Sequence, residues 1–142
     1  SPVVHGYDGG DSAAGVGEGG AGGGGAGSVG ASTTTVNGAN GGAAKLSAIT
    51  GSNVHYAAGG GGKRGWQGSE GSRGANGTGN VNSGDGGHLQ VDSGNGSSGV
   101  VILKYASNIT LTVGSGLTSS TNIVGSNKVT TFTAGTGTVS FS

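Results

Sequence analysis

The sequence predicts an all-β or irregular fold with essentially no α-helix: a packed bundle of polyproline II (polyglycine II) helices followed by a small antiparallel β module. Three observations predict it. Glycine falls on every third position in Gly65-Trp-Gln-Gly68-Ser-Glu-Gly71-Ser-Arg-Gly74-Ala-Asn-Gly77. Glycine makes up 38 of 142 residues, against roughly 7% in average proteins. The composition then changes abruptly at Val100 into apolar, β-prone text. This places a glycine-rich region over residues 1–99 and a strand module over residues 100–142.

A period of three fits neither the α-helix nor the β-strand, but it is the repeat of polyproline II. In that helix the glycines form one bare stripe that lets another backbone approach closely. Trp66, Gln67, Glu70, Arg73 and Asn76 then point away from the contact, and residues 65–79 read as one rod of a bundle. Collagen would need long proline-rich arrays, whereas this chain has one proline, Pro2, and its triplet register breaks at Asn80. A flexible linker is the other reading of glycine-rich text. Apolar clusters at residues 46–56 and 89–91, and the direct run into β-like sequence, favour order. An isolated rod leaves its N–H and C=O groups unpaired, so rods must pack laterally and cooperatively.

Along the chain, Ser1-Pro-Val-Val-His-Gly-Tyr7 reads as an extended lead-in cut from something longer, with no visible signal peptide. Residues 8–30 are nearly pure Gly, Ala and Ser, so this rod can only lie inside the bundle. Thr33-Thr-Thr-Val-Asn-Gly38 is β-prone and ends in a turn pair. Residues 46–56 read as two extended pieces around Gly51-Ser-Asn53. His88-Leu-Gln-Val-Asp92 alternates. In the tail, Val100-Val-Ile-Leu-Lys-Tyr105 is a continuous apolar strand, and Ile109-Thr-Leu-Thr-Val113 alternates as a half-buried strand does. Asn122-Ile-Val124 and residues 128–133 and 138–142 are further strands between glycine-containing turns.

Net charge is zero and only 8% of residues are charged, which argues against nucleic acid and anionic membranes as partners. Cysteine is absent, so disulfides and thiolate metal sites are excluded. No apolar run approaches the roughly 20 residues of a membrane span, so no membrane insertion is expected. Gly15-Val-Gly-Glu-Gly-Gly20 fits the dinucleotide fingerprint, but in glycine-rich text without a strand–helix context that is a chance match. Gly62-Lys63 fails as a P-loop, because Ala57 and Arg64 stand at required positions. His5, His55 and His88 are far apart, Gly84-Asp-Gly-Gly87 lacks a calcium-binding repeat, and no catalytic triad or carboxylate pair emerges. The expectation is a non-enzyme without metal or cofactor. Asn76-Gly-Thr, Asn95-Gly-Ser and Asn108-Ile-Thr are glycosylation sequons, meaningful only in a secretory host.

Ser47-Ala-Ile-Thr-Gly-Ser-Asn-Val-His-Tyr-Ala-Ala-Gly-Gly-Gly-Gly62, Gly99-Val-Val-Ile-Leu-Lys-Tyr105 and Thr131-Phe-Thr-Ala-Gly-Thr-Gly-Thr-Val-Ser-Phe141 together resemble the glycine-rich C-terminal regions of bacteriophage tail-fibre and adhesin proteins. The resemblance covers roughly residues 40–142, and the order of the blocks is more specific than the glycine content. It implies a virion tail appendage, extracellular, that binds a host cell-surface receptor (a glycan or an outer-membrane protein), with layered polyproline II rods and loops that read the receptor. It also implies partnership with other tail-fibre subunits and a homotrimer. Lys63-Arg64-Gly65-Trp66 departs from the family, whose members often continue in glycine there.

Recognition is expected where side chains break the glycine text: Lys63, Arg64, Trp66 and Gln67, with Tyr56, His88 and Gln90 as further candidates. Trp66 is either a receptor contact or a lid packed over the rod ends. The alternatives to an adhesin are a structural filament or virion-decoration subunit, and an ice-binding protein on the same bundle. The latter needs a flat face of small residues, and the β tail and the bulky insertions count against it.

Overall fold

The computed structural model describes residues 5–12, 15, 17–88 and 94–142. It divides into two compact units, Ser1–Leu46 with His55–Ser98, and Ser47–Val54 with Gly99–Ser142. Residues 47–54 therefore belong with the strand-rich tail rather than with the glycine-rich region. Among the described residues there is no helix. The named strands are β1 (Lys45–Ser47), β2 (Val54–Tyr56), β3 (Val101–Ala106), β4 (Leu111–Val113), β5 (Leu117–Val124), β6 (Asn127–Gly135) and β7 (Val139–Phe141). β1 and β2 pair where the chain leaves the first unit and re-enters it. Of the expected extended stretch 88–92, residues 89–92 lie outside the described residues.

Among the described residues the first unit has almost no side-chain core: the buried apolar ones are Ala39, Ala44 and Ala58. Extended segments instead lie side by side, joined by backbone hydrogen bonds that recur every third residue. The central segment, residues 36–44, donates from Gly38, Gly41 and Ala44 to the carbonyls of Ser69, Ser72 and Ala75. It also donates from Ala39 and Gly42 to Gly20 and Gly23, and it accepts at Val36, Ala39 and Gly42 from Gly65, Gly62 and Gly59. Gly20, Gly23 and Ala26 donate to Lys63, Gly60 and Ala57 in the same rhythm. Burial follows the period: Gly19, Gly22 and Gly25 are buried, as are Ala39 and Gly42, Gly59 and Gly62, and Gly71 and Gly74. This spacing differs from a β-ladder, whose side chains alternate every two residues. Each bond adds only about 1 kcal/mol net, so the unit depends on many forming together.

The triplet run does not form the single rod expected for residues 65–79. It turns at Trp66-Gln67 and again at Ala75-Asn76, where Gly68 donates to the Gly65 carbonyl (3.4 Å) and Gly77 to that of Gly74 (3.0 Å). Gln67 and Asn76 take φ of 59° and 64° to close these turns. The physical reason is lateral pairing. The neighbouring segments 36–44 and 57–65 are short, and a longer rod would carry unpaired N–H and C=O groups past their ends. Within the straight part, the bare stripe holds: a Cβ at Gly68, Gly71 or Gly74 would overlap the carbonyl of Val36, Ala39 or Gly42.

Asp85 is the buried charge of this unit, 2% exposed. Its Oδ1 accepts from Ala58 N (2.8 Å), and its Oδ2 accepts from Thr78 N (2.8 Å) and Gly79 N (2.9 Å). Burial, the largest single influence, pushes its pKa up. The donors from Ala58, Gly79, Ser83 and Thr78 together outweigh it and hold the carboxyl below the ordinary aspartate value.

In the second unit, the antiparallel sheet runs β3-β6-β5, and β4 pairs with β7. Opposed residues share a face, so Val101, Leu103 and Tyr105 line up with Phe132, Thr130 and Lys128. Thr130 is fully buried, and its hydroxyl meets those of Tyr105 (2.8 Å) and Thr121 (2.7 Å), which satisfies a polar group that burial would otherwise penalise. Tyr105 packs edge-to-face on Phe141 with centroids 5.4 Å apart, tying β3 to β7. On the opposite face Val129 is buried and Val124 lies against Gly51 of the 47–54 segment. Val101, Ile123, Val139 and Phe141 stay largely exposed, and Val101, Leu103, Leu117, Phe132 and Val139 line an open cleft of about 590 Å³.

Candidate functional site

Four of the sequence-predicted residues sit together on the turn that joins segments 57–65 and 68–74. The turn follows the 57–65 segment within the first unit. Ala57, at the start of that segment, pairs with residues 26 and 83, whereas Trp66 N donates to Gly17 O (3.1 Å). Gly65 N donates to Val36 O (2.7 Å), so the entry of the turn is pinned to two neighbouring segments. Gln67 occupies the left-handed region at the turn's third position, where glycine or asparagine is usual. The turn therefore has a fixed shape.

Glu70 completes it. Its Oε2 accepts from Arg64 N (2.8 Å) and its Oε1 lies 3.4 Å from Arg64 Nε. The Glu70 side chain is only 14% exposed and that of Arg64 is 60% exposed. The guanidinium is thus held at its base and open at its outer edge. Lys63 and Gln67 are exposed. Trp66 is 80% exposed, so its ring does not act as a lid over the rod ends. A shallow cavity of about 240 Å³ is lined by Gly17, Val36, Trp66 and Gln67.

Tyr56 lies in β2, a full extended segment away from Trp66, and is half-buried. His88 is half-buried and follows Gly87, whose carbonyl accepts from Gly61 midway along the 57–65 segment. Gln90 lies outside the described residues. Sequence reasoning missed Glu70, Val36 and Gly17 as parts of the site. Glu70 carried a readable signal, since it is one of few carboxylates in the chain and stands six residues from Arg64. Val36 and Gly17 come from distant segments, and only the lateral pairing brings them in.

Among the described residues no group of three or more His, Asp or Glu side chains could hold a metal ion. No helix among them is long and apolar enough to cross a membrane. No family model matches the chain, and no curated protein or solved structure does.

Proposed function

We propose that the chain is a non-catalytic, host-surface-binding domain of a bacteriophage tail fibre or adhesin, displayed on the virion, with the Trp66 turn as its recognition site. The observation that carries this reading is a lone tryptophan, 80% exposed, on a turn fixed by backbone bonds and by Glu70. Exposed rigid aromatics flanked by arginine are the usual anchors of binding surfaces. The first unit is read as a polyproline II bundle, supported by hydrogen bonds every third residue and by a glycine stripe against neighbouring carbonyls. Such a bundle is a stiff stalk for the turn.

The test is binding of the labelled protein to bacterial host cells. Trp66→Ala is expected to weaken it about thirtyfold, the loss of an anchor worth about 2 kcal/mol, with Arg64→Ala weakening it less. If both variants fold and bind like the parent, recognition lies elsewhere and a structural or decoration subunit becomes the better reading.

The homotrimer and the contact with other fibre subunits belong to the same proposal. Their support is the apolar surface left on the second unit: Val101 is 59% exposed, Ile123 74% and Phe141 52%. Sedimentation equilibrium is expected to give three times the chain mass, and Val101→Lys to shift it toward monomer. A monomeric parent at micromolar concentration counts against the trimer.

A further inference from the structure

We propose that the Trp66 turn binds a neutral surface glycan, with one hexopyranose ring stacked on the indole and its hydroxyls bonded by Gln67 and Arg64. This rests on the receptor-binding reading above and narrows it to a ligand class. The first argument is area. Among the described residues, the exposed apolar side chains at the turn are Trp66 and Val36, the latter 40% exposed, and Gly17 adds no side chain to the floor. A stable protein partner needs about 800 Å² on each side with a desolvated apolar centre, which this turn does not offer. A single sugar ring matches one indole face and a cavity of about 240 Å³.

The second argument is the polar surround. The Gln67 amide both donates and accepts, as vicinal sugar hydroxyls do. Arg64 has its Nε beside Glu70, which leaves the two Nη groups as outward donors. The third is charge. Arg64 is paired with Glu70, which leaves Lys63 and, one segment away, Glu18, whose backbone lies beside Gly65 and whose carboxylate lies toward Gly15. The turn is close to neutral and offers no field to attract a polyanion. Preorganisation supports all three, because the backbone of the turn is already fixed before the ligand arrives.

Trp66 is the only tryptophan in the chain, so intrinsic fluorescence reports on this site alone. Titrating the whole protein with dextran, mannan and galactan is expected to blue-shift its emission and reduce acrylamide quenching with at least one of them, unchanged at high salt. Oligogalacturonate, an acidic probe, is expected to do less. Gln67→Gly suits the positive φ and keeps the fluorophore, and it is expected to weaken the response about fivefold, the worth of one neutral hydrogen bond. In parallel, host cells treated with periodate, which cleaves vicinal diols, are expected to lose binding, whereas protease-treated cells keep it. Binding that survives periodate and falls with protease overturns the glycan. So does a response to oligogalacturonate alone. If Trp66→Ala still abolishes binding in that case, the receptor reading stands with a protein ligand. If Trp66→Ala binds cells like the parent, the receptor reading itself fails.

Discussion

Gly74→Val is expected to unfold the first unit, and Gly71→Val to come close to doing so, whereas Ser72→Val leaves the melting temperature nearly unchanged. A Cβ at Gly71 would overlap the Ala39 carbonyl, and one at Gly74 the Gly42 carbonyl. Neither obstacle can move alone. Ala39 donates to Gly20 and accepts from Gly62, and Gly42 donates to Gly23 and accepts from Gly59. Displacing either carbonyl strains three segments together. Overpacking a well-filled interior costs about 1–3 kcal/mol, and a backbone obstacle shared this widely puts the cost at about 3 kcal/mol or more. A fold with a net stability of about 5–15 kcal/mol loses much of it that way. Ser72 is exposed and its side chain points off the stripe, so its replacement is expected to stay within about 0.5 kcal/mol. Gly6, where an added methyl group would meet nothing within 4 Å, serves as a second control: Gly6→Ala is expected to be neutral or slightly stabilising. Thermal unfolding by circular dichroism reads all four. Equal melting of Gly74→Val and Ser72→Val would refute the stripe.

The absence of helix and the strand-rich tail were legible because both rest on local patterns. Val100-Val-Ile-Leu-Lys-Tyr105 anticipates β3 to within one residue, and residues 128–133 fall inside β6. β5 shows in the sequence only at its end, Asn122-Ile-Val124, because Thr118-Ser-Ser-Thr121 is small and polar and looks like a linker. Its strand character comes from pairing with β6, with a register shift between Thr118 and Ser119. The close approach of glycines to neighbouring carbonyls was legible as a period, but the length of each extended segment was not. Segment length is set by the partners, and the turn at Gln67 uses a residue that rarely marks a positive φ. Asn76 and Asn82, also at positive φ, are the residue type that does mark it. The cluster of Lys63, Arg64, Trp66 and Gln67 at one turn was legible because bulky residues stand out in glycine text. Its shape was not, since Gly17, Val36 and Glu70 reach it only through packing. In the sequence Asp85 stands only in Gly84-Asp-Gly-Gly87, which resembles a calcium motif without its repeat. A single carboxylate among glycines with few cations nearby in sequence was itself a signal, because exposed backbone N–H groups are the donors such text supplies.

Asp85→Ala is expected to cost on the order of 4 kcal/mol and to loosen residues 57–88 and 94–98. The carboxylate takes one N–H from Ala58 and two from the Thr78-Gly79 turn, and so ties the 57–65 segment to the chain that follows Asn76. Hydrogen bonds to a charged acceptor contribute about 1.5–3 kcal/mol each, and donors orphaned in a buried place add their own desolvation cost. The backbone of Asp85 is engaged as well: its N–H donates to Ser97 Oγ (2.7 Å) and its carbonyl accepts from Ser97 N (2.9 Å), so residues 94–98 follow it. Asp85→Asn keeps the shape but turns an NH₂ toward N–H groups, and it is expected to lose nearly as much. The acid dependence has a definite sign. Because the folded pKa lies below the unfolded one, the stabilisation is complete above about pH 4 and is lost as pH falls through the folded value. Melting temperature of the parent should therefore decline steadily below about pH 4, and this part of the slope should vanish in Asp85→Asn. Amide hydrogen exchange gives the local readout. The Ala58, Thr78 and Gly79 amides are expected to be protected in the parent at neutral pH and to exchange faster in acid and in both variants. Unchanged protection of those three amides in Asp85→Ala would mean that the carboxylate does not hold the segment together.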